Sequence, residues 1–276
     1  MPKPPRSSPY LPSTASSCQW TARIRRQPPR RKPRLKLTPS FLRADKLKAV
    51  FIDLDDTLLD ETAHMRGAYG RSLDELRDRV SPDQAAATYR EYECIVSDLL
   101  RRNAWDELER EQRWEVALQR AGVEPGDLPV KICDGYYRHY FEGVGFLPGA
   151  ERLLDVASHF ENCLITNGEH GKQWGKIRKM DIDSRLDHIL VSEDLGIRKP
   201  DPRIFERALG LTGSQPSETV MIGDSLHADI AGAGPVGIGT IWINQYGYSL
   251  DEATHEPDEM VTNPDEAASL IERVSP

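Results

Sequence analysis

The sequence predicts an α/β fold: a parallel β-sheet covered by helices, with a helical insertion after the first strand. Two observations lead to this prediction. Short apolar runs alternate with helical patterns in the second half of the chain, and the stretch between Leu58 and Phe146 is nearly free of strand signals. Strands that alternate with helices form β-α-β units, whose strands are parallel. The 276 residues suffice for one or two domains.

Five apolar runs are predicted to be the strands of the sheet. They are 49–53, 162–166, 188–192, 219–223 and 239–244. Their apolar character is continuous, which is typical of parallel strands that are buried on both faces. Helical patterns are expected at 149–160, at 202–209 and after residue 224.

The segment between the first and second strands is rich in Ala, Leu, Glu and Arg, and its breaks divide it into about four helices. A segment of this length is too long for an ordinary loop. The predicted division is therefore a helical cap at 61–145 and an α/β core at 46–60 and 146–276.

Residues 1–45 are predicted to form a disordered arm. Residues 1–43 contain eleven Lys or Arg, no Asp or Glu, and nine of the twenty prolines. Proline interrupts helices and like charges repel each other, so this segment cannot build a packed core. The simplest interpretation is a dispensable extension. An arm that binds nucleic acid, or a transit segment, is the alternative.

The composition of the remaining residues excludes several partners. Residues 44–276 hold 25 basic residues and all 44 acidic residues. Such a surface repels the phosphates of nucleic acids and anionic membranes, so no nucleic acid is expected to bind the body of the protein. No apolar run approaches the roughly 20 residues of a membrane-spanning helix. The four cysteines are far apart, which argues against a disulfide framework or a zinc site and favours buried thiols and a cytoplasmic location.

Two acidic pairs follow two of the predicted strands. Asp53 and Asp55 come at the end of the first, and Asp224 and Asp229 follow the fourth. Ligands of open parallel sheets bind at the carboxyl ends of the strands. Neighbouring carboxylates repel each other unless a cation lies between them, and Mg²⁺ prefers oxygen ligands. Each pair alone is equally typical of a capped turn or a first helical turn, but together they favour a metal site.

Polar residues also follow the second and third predicted strands. Thr166 and Asn167 offer donors to phosphate oxygens, although an Asn-Gly turn explains them as well. Lys199 stands in a proline-flanked loop just before a helix. There it either balances the charge of carboxylates and a phosphate or is a surface lysine in a turn.

In their order and spacing, these residues resemble the four motifs of the haloacid dehalogenase superfamily, in its phosphatase branch. The motifs are Asp53-Leu54-Asp55-Asp56-Thr57, Thr166 in Ile-Thr-Asn-Gly, Lys199 in Arg-Lys-Pro-Asp-Pro, and Gly223-Asp224-Ser225 with Asp229. The resemblance covers about residues 48–245 and implies a Rossmann-like core. Residues 166–196 further resemble the pyrimidine 5′-nucleotidases and N-acylneuraminate-9-phosphatases. Gln173 and Lys176 belong to that stretch, but exposed helix positions explain them equally well.

The resemblance implies a role for each residue of the first three motifs. Asp53 would be the nucleophile that takes the phosphoryl group as an aspartyl-phosphate, and Asp55 would protonate the leaving alcohol and then activate water. Thr166 and the backbone of Asn167 would hold phosphate oxygens. Lys199 would steady Asp53 and the transferring phosphoryl group.

A Mg²⁺ site is also implied by the resemblance. Its ligands would be Asp53, Asp224 and the backbone carbonyl of Asp55, with Asp229 close by through water or a hydrogen bond. A phosphate dianion repels a carboxylate nucleophile, and the cation together with Lys199 would cancel that repulsion.

The expected function is a Mg²⁺-dependent phosphatase for a small phosphorylated metabolite, either a nucleotide or a sugar phosphate. Asp55 favours ester hydrolysis over dehalogenation, because the displacement of halide needs no proton. The place of the helical insertion implies a cap that closes over a small substrate. A phosphosugar mutase that uses the same aspartate and a non-enzymatic protein that binds through its basic arm are the alternatives. The oligomeric state is not predicted.

Overall fold

The structure, a computed structural model, describes residues 47–101, 107–250 and 253–274. The basic arm and the prediction of its disorder lie outside these residues. The strands are β1 (Ala49–Ile52), β2 (Glu161–Thr166), β3 (His188–Val191), β4 (Thr219–Gly223), β5 (Gly239–Ile243) and β6 (Glu259–Val261). The helices are α1 (Glu61–Asp74), α2 (Pro82–Arg101), α3 (Arg110–Arg120), α4 (Leu128–Gly143), α5 (Ala150–Ala157), α6 (His170–Lys179), α7 (Ser192–Leu195), α8 (Pro202–Thr212), α9 (Ala231–Ala233) and α10 (Pro264–Glu272).

The six strands of the described residues form one parallel sheet in the order β3-β2-β1-β4-β5-β6. This confirms the predicted fold class. The order reverses at β1, whose neighbours are β2 and β4. Ile52 at the end of β1 pairs with Leu164 on one side and with Ile222 on the other. The carboxyl ends of three strands therefore meet at the place where open α/β sheets bind ligands.

The central strand is apolar on both faces because helices cover both faces of the sheet. Val50 and Ile52 pack into a cluster that includes α5 and α10, while Ala49 and Phe51 pack into a second cluster that includes α8. All four side chains are fully buried. Alternate residues of a strand point to opposite faces, so an uninterrupted apolar run is what this position requires.

Helices α1–α4 occupy the segment in which about four helices were expected, and they have a hydrophobic cluster of their own. Its centre is aromatic: Tyr92 stacks on Trp114 with ring centroids 3.9 Å apart, and Tyr69 stacks on Tyr136 at 4.1 Å. The two ends of the insertion lie side by side, because Leu59 just before it and Phe146 just after it form an antiparallel bridge. We propose that residues 61–145 are the cap and that the flanking segments are the core.

Two elements differ from the prediction. Strand β6 was not predicted, because its three residues include Glu259 and only Val261 is buried. The helix expected after Asp224 is a five-residue π-helical turn, 226–230, followed by the three residues of α9. A 3₁₀ turn at Gly234–Val236 follows, and the helical backbone ends at Gly237, whose φ of 90° is left-handed.

Two further sequence predictions concern the membrane and the cysteines. Among the described residues, no helix combines the length and the apolar character that crossing a membrane requires. Cys133 and Cys163 are buried free thiols.

Candidate active site

The ends of β1, β2 and β4 bring the predicted acidic and hydroxyl residues to one edge of the sheet. Asp53 follows β1 directly, and its backbone N–H donates to the carbonyl of Ile222 at 3.0 Å. Asp224 follows β4, and Asp229 lies in the π-helical turn behind it. Carboxylate oxygens of Asp53, Asp224 and Asp229 all lie within 4.8 Å of one another. The two acidic pairs of the sequence thus contribute to a single cluster.

Lys199 joins this cluster from the loop before α8, and its side chain is 2% exposed. Its Nζ donates to Asp53 Oδ1 at 2.5 Å, to Asp229 Oδ1 at 2.7 Å and to the carbonyl of Ile165 at 2.6 Å. An ammonium has three donors, and each of them is used. Burial lowers the pKa of Lys199, but the carboxylates of Asp229 and Asp53 outweigh it and raise the pKa above its ordinary value.

One ammonium does not balance the carboxylates around it. Burial raises the pKa of Asp53 from 3.8 to about 7 against the opposing effect of Lys199, and the charges of Asp229 and Asp55 add to the rise. Burial also raises the pKa of Asp224 well above its ordinary value, with Asp53 and Asp229 contributing. The cluster therefore has an excess of negative charge. The atoms that it offers as metal ligands are all carboxylate oxygens. Both properties fit Mg²⁺.

Asp229 is oriented by contacts to both of its oxygens. Oδ1 accepts from Lys199, and Oδ2 accepts the backbone N–H of Ser225 at 3.0 Å. The side chain is 1% exposed. These contacts suit a residue that lies beside a metal and holds Lys199, which is the position that the resemblance implies for Asp229.

The predicted phosphate-binding residues connect β2 to the Lys199 loop. The Asn167 side chain donates to the carbonyl of Lys199 and accepts its N–H, both at 2.9 Å. This amide is thus committed to the loop that carries the lysine. Thr166 is 1% exposed, and its Oγ1 lies 2.5 Å from Nε2 of Gln173.

The carboxylate of Asp55 is not part of this cluster of three carboxylates and contacts helix α6 instead. Oδ1 lies 2.5 Å from Lys176 Nζ, and Oδ2 lies 3.0 Å from Gln173 Nε2. Gln173 and Lys176 are 1% and 0% exposed, so their interpretation as surface residues was wrong. The signal that could have found them is their spacing of three on a helix that begins four residues after Thr166.

Comparison with known proteins gives a family and a set of relatives. The family model described as haloacid dehalogenase-like hydrolase matches residues 47–237. The glyceraldehyde 3-phosphate phosphatase of Pyrococcus furiosus is 29% identical over 235 residues, which cover 83% of this chain and 94% of that protein. The N-acylneuraminate-9-phosphatase of Homo sapiens is 27% identical over 248 residues, which cover 83% and 95%.

Among solved structures, this chain is similar to YfnB from Bacillus subtilis, described as a HAD-hydrolase in a crystal form bound to magnesium. The TM-score is 0.66 at 25% identity, and the match covers 82% of this chain and 99% of that one. The residues that the family model matches include strands β1–β4, the insertion and every residue of the candidate site.

Proposed function

The chain belongs to the haloacid dehalogenase-like hydrolases, and we propose that it is a Mg²⁺-dependent phosphatase that acts through an aspartyl-phosphate. The observation that carries this proposal is the buried contact of Lys199 with Asp53 and Asp229, beside Asp224. An arrangement of this kind offers a fixed carboxylate, a fixed ammonium and a place for a cation. These are the components that phosphoryl transfer requires.

Asp53 is the proposed nucleophile. Lys199 contacts its Oδ1, and Thr57 Oγ1 lies 3.3 Å from its Oδ2, so both oxygens have a defined direction. Attack by Asp53 on phosphorus forms an acyl-phosphate bond while the bond to the leaving oxygen breaks. Lys199 neutralises charge on the phosphoryl oxygens during this step.

Asp55 is the proposed proton carrier. Its side chain is 27% exposed, compared with 8% for Asp53, so it is the more open of the two carboxyl groups. In the first step Asp55 gives its proton to the leaving alkoxide. In the second it takes a proton from the water that attacks the aspartyl-phosphate, which releases phosphate and regenerates Asp53.

The proposed Mg²⁺ ligands are Asp53, Asp224 and the backbone carbonyl of Asp55, with Asp229 adjacent. When bound, the ion offsets the repulsion between a carboxylate nucleophile and a phosphate dianion. The support for this part is the oxygen-only donor set and the excess of negative charge around Lys199.

The proposed substrate is a small phosphate monoester. The relatives named above are phosphatases of glyceraldehyde 3-phosphate and of an N-acylneuraminate phosphate, which favours a sugar phosphate over a nucleotide. Helices α1–α4 would exclude water and read the leaving group. The cytoplasmic location predicted from the sequence belongs to this proposal as well.

The test is phosphate release from a panel that contains glyceraldehyde 3-phosphate, N-acylneuraminate 9-phosphate, hexose phosphates and pyrimidine 5′-nucleotides, with Mg²⁺ or with a chelator. Activity should require Mg²⁺, and Asp53→Asn should abolish it while the circular dichroism spectrum is kept. Asp183→Asn, at an exposed aspartate outside the site, is the matched control and should behave as wild type. Near-normal turnover by Asp53→Asn would refute the assignment of the nucleophile.

Two further measurements separate this proposal from its alternatives. Acid-quenched enzyme should carry the mass of one phosphoryl group on the peptide that contains Asp53. A phosphosugar mutase would form the same adduct but return an isomeric sugar phosphate without free phosphate. A non-enzymatic protein that binds through its arm would hydrolyse no member of the panel.

A further inference from the structure

Both oxygens of Asp55 are held by side chains of one helix. Lys176 Nζ lies 2.5 Å from Oδ1, and Gln173 Nε2 lies 3.0 Å from Oδ2. Residues three apart on a helix lie on the same face, so α6 presents both donors together. A carboxylate with a different donor on each oxygen is fixed in its plane as well as in its position.

Gln173 also connects Asp55 to the loop after β2. Its Nε2 lies 2.5 Å from Thr166 Oγ1 and 3.1 Å from the carbonyl of Asn167. A Cβ atom on Gly168 would come within 2.8 Å of the Gln173 side chain, so only glycine leaves room for the amide there. The orientation of Asp55 is therefore tied to the residues proposed to hold phosphate.

Lys176 is held from the side of the insertion as well. Its Nζ lies 3.4 Å from Oε2 of Glu61, the first residue of α1. Glu61 also accepts from Lys172 Nζ at 2.6 Å and from the hydroxyl of Tyr140 on α4. Burial raises the pKa of Glu61, but the charges of Lys172 and Lys176 outweigh it and lower the pKa below its ordinary value.

Helix α6 also packs closely against the last helix of the insertion. A Cβ atom on Gly175 would come within 2.7 Å of Phe141, so the glycine permits this approach. Lys176 thus lies between Asp55 of the core and Glu61 of the insertion, and both contacts are made by one ammonium.

Stability does not explain the presence of a lysine at this position. Burial of an ammonium costs free energy, and replacement of both members of a buried ion pair by apolar residues is often neutral or stabilising. Removal of the lysine alone is costly where the partner is buried, but the Asp55 side chain is 27% exposed. Without Lys176, Asp55 would keep Gln173 and its access to solvent, and Glu61 would keep Lys172 and Tyr140. What the substitution removes is the contact to Asp55 Oδ1 and the longer contact to Glu61 Oε2.

We propose that Lys176 and Gln173 are positioning residues that aim the Asp55 carboxyl group at the leaving oxygen, with Glu61 anchoring Lys176 to the insertion. The inference rests on the proposed function, in which Asp55 gives a proton to the leaving alkoxide as the phosphorus–oxygen bond breaks. Lys176 acts only through Asp55.

The test compares leaving groups that differ in their need for a proton. An alkoxide must be protonated as it leaves, whereas p-nitrophenolate is stable as an anion. The parameter is kcat/KM, which covers the steps up to departure of the alcohol and leaves out the later attack of water. Since a general acid contributes about 10²–10⁴-fold, Lys176→Met should lower kcat/KM for the best alkyl phosphate at least about tenfold more than for p-nitrophenyl phosphate.

Lys172→Met is the matched control. Lys172 lies one turn before Lys176 and shares its contact with Glu61, but its described contacts do not include Asp55. It should change kcat/KM for both substrates by the same factor. Gln173→Met removes the other donor to Asp55 and should shift the ratio in the same direction as Lys176→Met, which keeps the test available if Lys176→Met does not fold.

The outcomes separate this inference from the proposed function. If wild type hydrolyses both substrates and the positioning variants lower both equally, Lys176 and Gln173 are merely structural and the inference is wrong. If wild type hydrolyses neither substrate, the proposed function fails and the inference falls with it. A selective loss on the alkyl phosphate in the positioning variants, absent from Lys172→Met, supports both.

Discussion

The Nζ atom of Lys199 lies 2.5 Å from Oδ1 of Asp53, and the two side chains are 2% and 8% exposed. Water therefore contributes little to the solvation of either charge, so each depends on the other. Asp229 completes the arrangement at 2.7 Å from the same ammonium. A buried pair of this kind is weak evidence for stability as such, but the loss of one member leaves an unpaired charge.

Lys199→Met should destabilise the fold strongly. Asp53 and Asp229 would remain buried without their counter-ion, a situation that costs about 3–5 kcal/mol in the free energy of unfolding. Urea denaturation at neutral pH without metal measures this change. Phosphatase turnover should also be lost, because the charge that steadies Asp53, the proposed nucleophile, is gone.

Lys48→Met is the control for that substitution. Lys48 pairs with Glu218 at 2.8 Å, but its side chain is 62% exposed. Exposed pairs contribute about 0–1 kcal/mol, so the free energy of unfolding should fall by less than about 1 kcal/mol. If Lys48→Met and Lys199→Met lowered the free energy of unfolding equally, burial would not be the reason for the cost of removing Lys199.

The stability of the metal-free protein should fall as pH rises between about 4 and about 7. The pKa of Asp53 is raised from 3.8 to about 7 in the folded state, mainly by burial, so the folded protein binds this proton more tightly than the unfolded chain. The contribution is complete below the unfolded pKa and is lost as pH rises through the folded pKa. Urea denaturation in a chelator, compared between wild type and Asp53→Asn, isolates it.

The unfolding free energy of wild type minus that of Asp53→Asn should decrease as pH rises from about 4 to about 7. Mg²⁺ should oppose the decrease in wild type, because it binds the deprotonated carboxylates of the folded state and so stabilises it. A difference that stays constant, or that increases with pH, would show that Asp53 does not hold its proton in the folded protein.

The residues at strand ends could be predicted from the sequence because their positions follow from local patterns. Asp53 and Asp224 each end an apolar run, and β1 and β4 are neighbours in the sheet. The motif order then makes their proximity predictable. That Asp229 commits its oxygens to Lys199 and Ser225 is a matter of side-chain direction, which no local pattern encodes.

The spacing of Gln173 and Lys176 on α6 marks them as a pair, but the contacts behind their proposed roles could not be predicted, for a related reason. Helix α6 carries Lys172, Lys176 and Lys179 at helical spacings, a pattern typical of a solvated face. Lys176 is nevertheless fully buried, between Asp55 and Glu61. These two partners are more than 100 residues from Lys176 in the sequence, and no local pattern encodes such contacts.

Thr57→Val should lower turnover modestly. Thr57 is fully buried, and its Oγ1 donates to Asp53 Oδ2 at 3.3 Å. Loss of one such hydrogen bond costs about 0.5–1.5 kcal/mol, which corresponds to a fall in kcat/KM of roughly 2- to 10-fold. The measurement is kcat/KM with p-nitrophenyl phosphate at saturating Mg²⁺.

Thr212→Val is the comparison for Thr57→Val. Thr212 is also buried, and its hydroxyl bonds to Ala208 and Ser214 at the end of α8. This substitution should lower stability by a similar amount without changing kcat/KM. A fall in kcat/KM from both substitutions would mean that stability, rather than the orientation of Asp53, limits activity.

Gly223→Ala should impair both the fold and the activity. A Cβ atom at this position would come within 2.7 Å of the Asp229 Cβ, and Asp229 has no freedom to move because both of its oxygens are engaged. Overpacking of this kind costs about 1–3 kcal/mol. Displacement of Asp229 also pulls on Lys199, so turnover should fall at least about tenfold, since small errors in position at a reacting centre are costly.

Gly210→Ala makes the same chemical change in helix α8, where a Cβ atom would meet nothing within 4 Å. Alanine is the better helix former, so this variant should gain about 0.5–1 kcal/mol with unchanged turnover. If the crowding at Asp229 is the cause, thermal unfolding should show stability changes of opposite sign for the two variants, and phosphate release should fall only for Gly223→Ala. If Gly223→Ala also gained stability, the close packing of β4 against the π-helical turn would be refuted, and with it the account of how Asp229 holds Lys199 in place.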